Sequence, residues 1–211
     1  MDRVPGVADA AGHLRLGAVI LAAGAGSRFG GRKMGAELGG RPLLQHVLDV
    51  VADVPLVRVV VVLAPDSAGL ERIVWRDAMR IVNPDPALGL SNSLRLGLDS
   101  CAAGDDLDGL YILLGDQPLT AVSTLLALSD AASEALVAGA RAVVPDYADG
   151  GGANPVLLLR AGFPLASRLI GDRGLGSVLA ERPDLLQRVR ISGSNPDVDT
   201  VADLRALELG P

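Results

Sequence analysis

The sequence predicts an α/β protein built on a mainly parallel sheet, and three observations carry that prediction. Short β-branched apolar runs alternate with helical stretches along the chain, the pattern that lays helices over a parallel sheet. One run, 57–63, is apolar almost without alternation, and a second, 110–114, resembles it, as strands buried on both faces require. Finally, 211 residues that are 49% hydrophobic supply one sizeable core and fall short of two independent domains.

The elements follow in order. A first strand is expected at 18–22, leading through a glycine-rich run into a helix at 43–51. Strands at 57–63 and 80–82 come next. The hydroxyl-rich start Gly89-Leu-Ser-Asn-Ser93 opens a helix that continues to about Leu98. The strand at 110–114 stops at Gly115-Asp116-Gln117-Pro118, and a long Ala/Leu helix spans 122–137. Strands at 142–144 and 156–159, helical stretches at 163–169 and 175–181, a strand at 189–191 and a helix at 201–209 complete the series. Residues 1–15 are polar and Gly/Ala-rich, without a basic start or a continuous apolar stretch, and read as a disordered lead-in rather than a signal peptide. Residues 16–211 then form a single domain.

Composition removes several classes of function. A net charge of −6 and 2% aromatic residues argue against an electrostatic nucleic-acid binder with stacking platforms. No run reaches the ~18 apolar residues of a membrane helix. The one cysteine, Cys101, rules out an internal disulfide framework and a cysteine-based zinc site, and fits a reducing cytoplasm. With His13 in the lead-in and His46 in an expected helix, histidine ligation of a metal is a poor prospect.

The basic residues point to a site. Of the nineteen Lys and Arg, eighteen are arginine. The single lysine, Lys33, closes the run Leu21-Ala-Ala-Gly-Ala-Gly-Ser-Arg-Phe-Gly-Gly-Arg-Lys33. A compact ammonium is thus kept at a loop suited to phosphate, where a guanidinium fork is not its equivalent. This loop leaves the carboxyl end of the first strand, where ligands collect in open α/β sheets. Gly24, Gly26, Gly30 and Gly31 let backbone amides turn toward a ligand, and Arg28 and Lys33 add full positive charge. The spacing is neither a P-loop, which needs Gly-Lys followed by Ser or Thr, nor a dinucleotide fingerprint, since the Gly-x-Gly-x-x-x-Gly run is one residue too long. Glycines after a first strand also make ordinary tight turns.

Two acidic positions complete the picture. Asp116, just beyond a buried strand and before a proline, is placed to hold Mg²⁺ near the first loop if the two strands are neighbours; Gly-Asp-x-Pro is equally good turn chemistry. Asp197-Val-Asp199-Thr200 precedes the last helix, where Asp199 or Thr200 would also serve as a helix cap.

Six motifs taken in order, Leu21-Ala-Ala-Gly-x-Gly-x-Arg-x-Gly-x-x-Lys33, Leu38-Gly-Gly-Arg-Pro-Leu-Leu, Gly89-Leu-Ser-x-Ser93, Gly115-Asp-x-Pro118, Asn154-Pro-Val156 and Asp197-x-Asp-Thr200, resemble the MobA-like NTP transferase family, and most of all its molybdenum cofactor cytidylyltransferase branch. The resemblance implies a Rossmann-like fold of the nucleotide-diphospho-sugar transferase type, with helices on both faces of the sheet. It further implies a Mg²⁺-dependent nucleotidyltransferase that moves a nucleoside monophosphate from NTP to a phosphorylated acceptor. Carried over, Leu21, Ala22, Ala23, Gly24, Ala25 and Gly26 would meet the nucleotide, with Ser91 and Ser93 toward base or ribose. Arg28 and Lys33 would neutralise phosphates. Gly115 and Asp116 would lie at the phosphates, Asp116 binding Mg²⁺, and Asp199 would be a further ligand or an acceptor-side residue.

The Leu-Ala-Ala-Gly form goes with pyrimidine nucleotides, hence CTP, where Leu-Ala-Gly-Gly goes with GTP. Molybdopterin is the implied acceptor and a molybdoenzyme a plausible partner. Arg173 is placed either on the acceptor's phosphate or in a surface pair with Asp172. Asn154 stands where the family often has another residue. The scarcity of rings leaves sugar or polyol phosphates open as acceptors, and a non-catalytic nucleotide-binding chaperone of a molybdoenzyme is a third reading.

Overall fold

The computed structural model describes residues 14–24, 29, 32–66, 69–104, 106–166, 168–171 and 174–209. Most of the expected lead-in, residues 1–13, lies outside them. In chain order the elements are β1 (Leu16–Ala22), the hairpin β2 (Glu37–Leu38) and β3 (Arg41–Pro42), α1 (Leu43–Ala52), β4 (Arg58–Leu63), β5 (Met79–Val82) and α2 (Leu90–Ala102). Then come β6 (Gly109–Leu114), α3 (Val122–Val137), β7 (Ala142–Tyr147), β8 (Val156–Leu159), α4 (Phe163–Ala166), α5 (Leu175–Ala180), β9 (Leu186–Ile191) and α6 (Val201–Leu209).

Seven strands form one sheet in the order β5-β4-β1-β6-β8-β7-β9. β1 is buried at every residue because parallel neighbours, β4 and β6, flank it on both sides. Only β8 runs against its neighbours, antiparallel to both β6 and β7. The architecture is therefore the mainly parallel, Rossmann-like sheet that the sequence predicts.

Strand alternation splits the core into two layers. Ala18 and Ile20 of β1 join Leu44 and Val47 of α1, Tyr111 of β6 and Leu125 and Leu128 of α3 on one face. Val19 and Leu21 join Leu94, Leu98 and Cys101 of α2 and Leu175 and Leu179 of α5 on the other. α2 lies close on the sheet because residue 97 has no side chain: a Cβ there would stand 2.3 Å from Val19 Cγ1 and 3.0 Å from Val62 Cγ2.

Several boundaries differ from the sequence reading. β4 begins at Arg58 rather than Val57, and its first two residues are only half-buried. Arg58 Nη1 instead donates to the carbonyls of Cys101 (2.6 Å) and Ala103 (2.8 Å). That cap satisfies orphan carbonyls at the helix end, and α2 runs on past Leu98 to Ala102. β7 extends beyond Val144 to Tyr147. It includes Pro145, tolerated because β8 pairs only with residues 142 and 143, which leaves that edge without a ladder bond to break. β9 starts at Leu186 rather than Val189, and the helical stretch expected at 163–169 is confined to Phe163–Ala166 after a 3-10 turn.

The β2–β3 hairpin is new to the structure. Gly39 (φ 57) and Gly40 (φ 77) supply the two left-handed residues of its turn.

Two predictions follow from the packing. Gly97→Ala is expected to cost about 1–3 kcal/mol by overpacking, against a helix-propensity gain of roughly 1 kcal/mol; urea unfolding measures the difference. Burial pushes the Cys101 thiol up to about 11 from 9.0, so alkylation near pH 8 should require unfolding. The linked stability is fully present below 9.0 and is lost as pH rises through about 11. The margin of wild type over Cys101→Ser should therefore shrink across that window in melts at stepped pH.

Candidate active site

The two central strands end side by side. Leu21 is in register with Leu114, and Gly115 N donates to Leu21 O at 2.9 Å. A Cβ at Gly115 would stand 3.1 Å from Ala22 Cβ and 3.0 Å from Met34 Sδ, so the missing side chain lets Asp116 lie over the end of β1. The strand order reverses here, with β4 and β5 on one side of β1 and β6 on the other, which makes this edge the switch point where ligands bind in such sheets.

Beyond β1, Ala22 and Ala23 are buried. Gly24 is exposed, with open space where a Cβ would stand. Ala25, Gly26 and Arg28 lie outside the described residues, as does Arg173. Arg32 takes a left-handed conformation, φ 53, uncommon for a residue with a side chain, and begins a 3-10 turn over Lys33–Gly35. Gly35 fits against residue 69, where a Cβ would come within 2.3 Å of the Gly69 carbonyl. Lys33 is thereby buried, only 8% exposed.

Its ammonium meets two carboxylates. Lys33 Nζ donates to Asp116 Oδ2 at 2.6 Å and to Asp199 Oδ1 at 2.9 Å. Burial alone would lower the lysine, but hydrogen bonds and charge from Asp116, then from Asp199, outweigh it and hold Lys33 above the usual lysine range. The pairing thus stabilises the fold below 10.5, and that contribution is lost as pH rises through the raised value.

Asp199 is available because other residues cap α6. Thr200 Oγ1 accepts from Asp203 N at 3.2 Å, while Asp203 Oδ2 accepts from Thr200 N at 2.7 Å and Asp199 N at 3.0 Å. This is a reciprocal capping box, and of the two cap candidates Thr200 fills the role.

Asp197 adds a third carboxylate. It accepts from Gln117 Nε2 at 2.8 Å, and its pKa is pushed above the usual carboxylate range by burial first and then by the charge of Asp116. Gln117, Thr120 and Asn195, all buried, form a polar knot beside these aspartates. Sequence reasoning assigned them no role. Only their position next to Asp116 and Asp197 hints at one, because burial of an isolated polar residue leaves no periodic trace.

The serines are arranged differently from a simple helix start. Gly89 (φ 90) is the N-cap of α2, with no side-chain cap bond. Ser93 Oγ accepts from the fully buried Asn83 Nδ2 at 2.9 Å, and Ser91 N donates to Gly171 O at 3.0 Å. Among the described residues no hydrogen bond joins either serine to the Lys33 cluster. A cavity of about 160 Å³ lies nearby, lined by Leu21, Leu90, Leu94, Leu114, Asn154 and Gly174 among others.

The donor set fits a divalent cation that also has a ligand's oxygens. Asp116 Oδ1 is buried with no hydrogen-bond partner among the described residues, and Asp116 and Asp199 already converge on a cation. Among the described residues no three His, Cys, Asp or Glu side chains form a metal-holding group. Phosphate oxygens would have to complete the shell, as they commonly do for Mg²⁺. Among the described residues three carboxylates face one ammonium, a balance that favours a cation as the bridge to a phosphate chain.

A family model described as the MobA-like NTP transferase domain matches residues 18–188. The bifunctional protein GlmU of Paracidovorax citrulli (strain AAC00-1) is 36% identical over 140 residues, 63% of this chain and 29% of that protein. The chain thus spans less than a third of the length of that curated relative. The crystal structure of a homologue of Mycobacterium tuberculosis Rv0371c from Mycobacterium sp. strain JC1 is 28% identical, with a TM-score of 0.82 over 93% of this chain and 96% of that one. Rv0371c from Mycobacterium tuberculosis H37Rv, in complex with manganese, is 25% identical with a TM-score of 0.77, over 93% of this chain and 100% of that one.

Removing one partner of a buried ion pair strands the others, so Lys33→Met should destabilise the protein by about 3 kcal/mol at neutral pH. The value sits at the low end for buried pairs because the Asp199 side chain is 54% exposed. Chemical denaturation of the two proteins in the presence of a chelator checks it.

Proposed function

The chain belongs to the MobA-like NTP transferase family, and from that premise we propose that it moves CMP from CTP onto molybdopterin, releasing pyrophosphate. The observation that carries this reading is the Lys33 ammonium shared by Asp116 and Asp199 where β1 and β6 end.

In this reading the backbone of Ala22, Ala23 and Gly24 meets the nucleotide. The motif extends that role to Ala25 and Gly26, and gives Arg28 the phosphates. Asp116, through its unpartnered Oδ1, and Asp199 would hold Mg²⁺; the manganese complex of Rv0371c supports a divalent metal. Bound there, Mg²⁺ would draw phosphate oxygens together and offset their charge. Lys33 Nζ then donates to an α-phosphoryl oxygen as charge spreads over it during in-line attack. An acceptor phosphate oxygen bonds to the α-phosphorus, the bond to the α–β bridging oxygen breaks, and pyrophosphate departs with that electron pair. No general base is needed, since the acceptor phosphate is already ionised at neutral pH.

The Leu21-Ala-Ala-Gly24 form supports CTP over GTP, with Ser91 and Ser93 on the base or ribose side. Molybdopterin as the acceptor rests on the resemblance of the six motifs to the cytidylyltransferase branch. A molybdoenzyme that receives the product is the partner this reading implies. Among the described residues no helix is long and apolar enough to cross a membrane, and the buried free thiol of Cys101 suits a reducing cytoplasm.

Pyrophosphate release with Mg²⁺ across CTP, GTP, UTP and ATP tests the proposal, with and without molybdopterin or sugar phosphates. Molybdopterin-dependent release from CTP is expected, falling by at least about 100-fold in Lys33→Ala and Asp116→Ala. Preference for GTP overturns the base assignment. Turnover with sugar phosphates alone overturns the acceptor, and nucleotide binding without turnover on any acceptor overturns catalysis.

A further inference from the structure

Asp116 and Asp199 come from segments far apart in the chain, and 192–200 belongs to no helix or strand. Something other than a ladder must therefore set the distance between their carboxylates. One backbone bond contributes: Val198 N donates to Asp116 O at 2.9 Å, anchored by the fully buried Val198 side chain.

The remaining links pass through two amides. Asn195 Nδ2 donates to Gln117 Oε1 at 3.2 Å, and Gln117 Nε2 donates to Asn195 O at 3.3 Å and Asp197 Oδ1 at 2.8 Å. Thr120 Oγ1 shares its single proton between Gln117 O at 3.0 Å and Asn195 Oδ1 at 3.3 Å. Asn195 Nδ2 also reaches Asn154 O at 3.4 Å. Gln117, Asn195 and Thr120 are 3%, 5% and 4% exposed. Such a satisfied buried network holds its members in one arrangement, and here it grips the chain at Gln117, directly after Asp116, and at Asn195 and Asp197, shortly before Asp199.

We infer that Gln117 and Asn195 are positioning residues that hold Asp116 and Asp199 at the spacing a divalent cation requires. The inference rests on the metal-dependent reading of the site. Neither amide touches the reacting phosphates in that reading. Their effect passes through the aspartates, as outer partners of metal ligands do when they fix ligand orientation.

The test is Mn²⁺ affinity of the full chain with CTP present and acceptor absent, read by water-proton relaxation in MnCl₂ titrations corrected for Mn²⁺ held by free CTP. Wild type is compared with Gln117→Met, Asn195→Leu and the double variant. Mn²⁺ dissociation constants should rise about 10- to 100-fold in each single variant. The double variant should be no weaker than the worse single one, because the amides act as a pair. In pyrophosphate assays the KM for metal should rise while kcat at saturating metal changes little.

Thr120→Val removes the hydroxyl shared by Gln117 O and Asn195 Oδ1 at near-constant volume and should shift affinity the same way by less, which keeps the test open if a larger change prevents folding. Variants with lowered Tm but Mn²⁺ affinity within about twofold of wild type would make the pair merely structural and overturn the inference. If wild type binds no Mn²⁺ beyond that held by free CTP, the metal-dependent reading falls and the inference falls with it.

Discussion

The buried ammonium of Lys33 is the interaction around which the ligand edge of this protein is organised. It draws together the turn after β1, the loop after β6 and the approach to α6, three segments with no common strand or helix. A cation held away from water needs its counter-charges in place, so each of these segments is fixed by the other two. The carboxylates are constrained in return, since without the ammonium they would repel one another. A compact donor suits this position, because it can be shared by two carboxylates and still turn toward another oxygen.

The arginines serve a different purpose. Arg58 donates to the carbonyls at the end of α2, Arg141 to Ala161 O, Arg160 to Leu107 O and Arg15 to Asp106 O. Each spans a gap between elements with a rigid fork and satisfies carbonyl oxygens that a ladder or helix leaves over. These four guanidiniums brace the framework, while the single ammonium stands in the site.

How much of this was legible depended on whether a physical signal repeats along the chain. The central strands β1, β4 and β6 announced themselves because burial on both faces demands an unbroken apolar run. The two-residue strands of the β2–β3 hairpin are too short for any period, and the start of β9 is masked by polar Gln187 and Arg188. Strand direction is not encoded locally, so the reversal of β8 was invisible. At the site, Lys33, Asp116 and Asp199 stood out by type and place. The choice between cap and charge partner at Asp199 rested on Asp203, whose carboxylate takes the amides of Asp199 and Thr200. Gln117 and Asn195 gave no signal, since buried amides earn their place only by pairing across the fold.

The reversal of β8 also bears on how such a chain can change over evolutionary time. Because β7 runs with the central strands and β8 returns against them, the connection between them, residues 148–155, emerges on the same edge as Lys33 and Asp116. It contains Gly150, Gly151 and Gly152, whose added Cβ atoms would meet nothing beyond the Asp149 side chain. Insertions or exchanges among these glycines, short of Asn154, would remodel what surrounds the cluster while leaving the sheet and the salt-bridged lysine untouched. An antiparallel strand in a parallel sheet thus separates a fixed half of the ligand edge from a half free to drift.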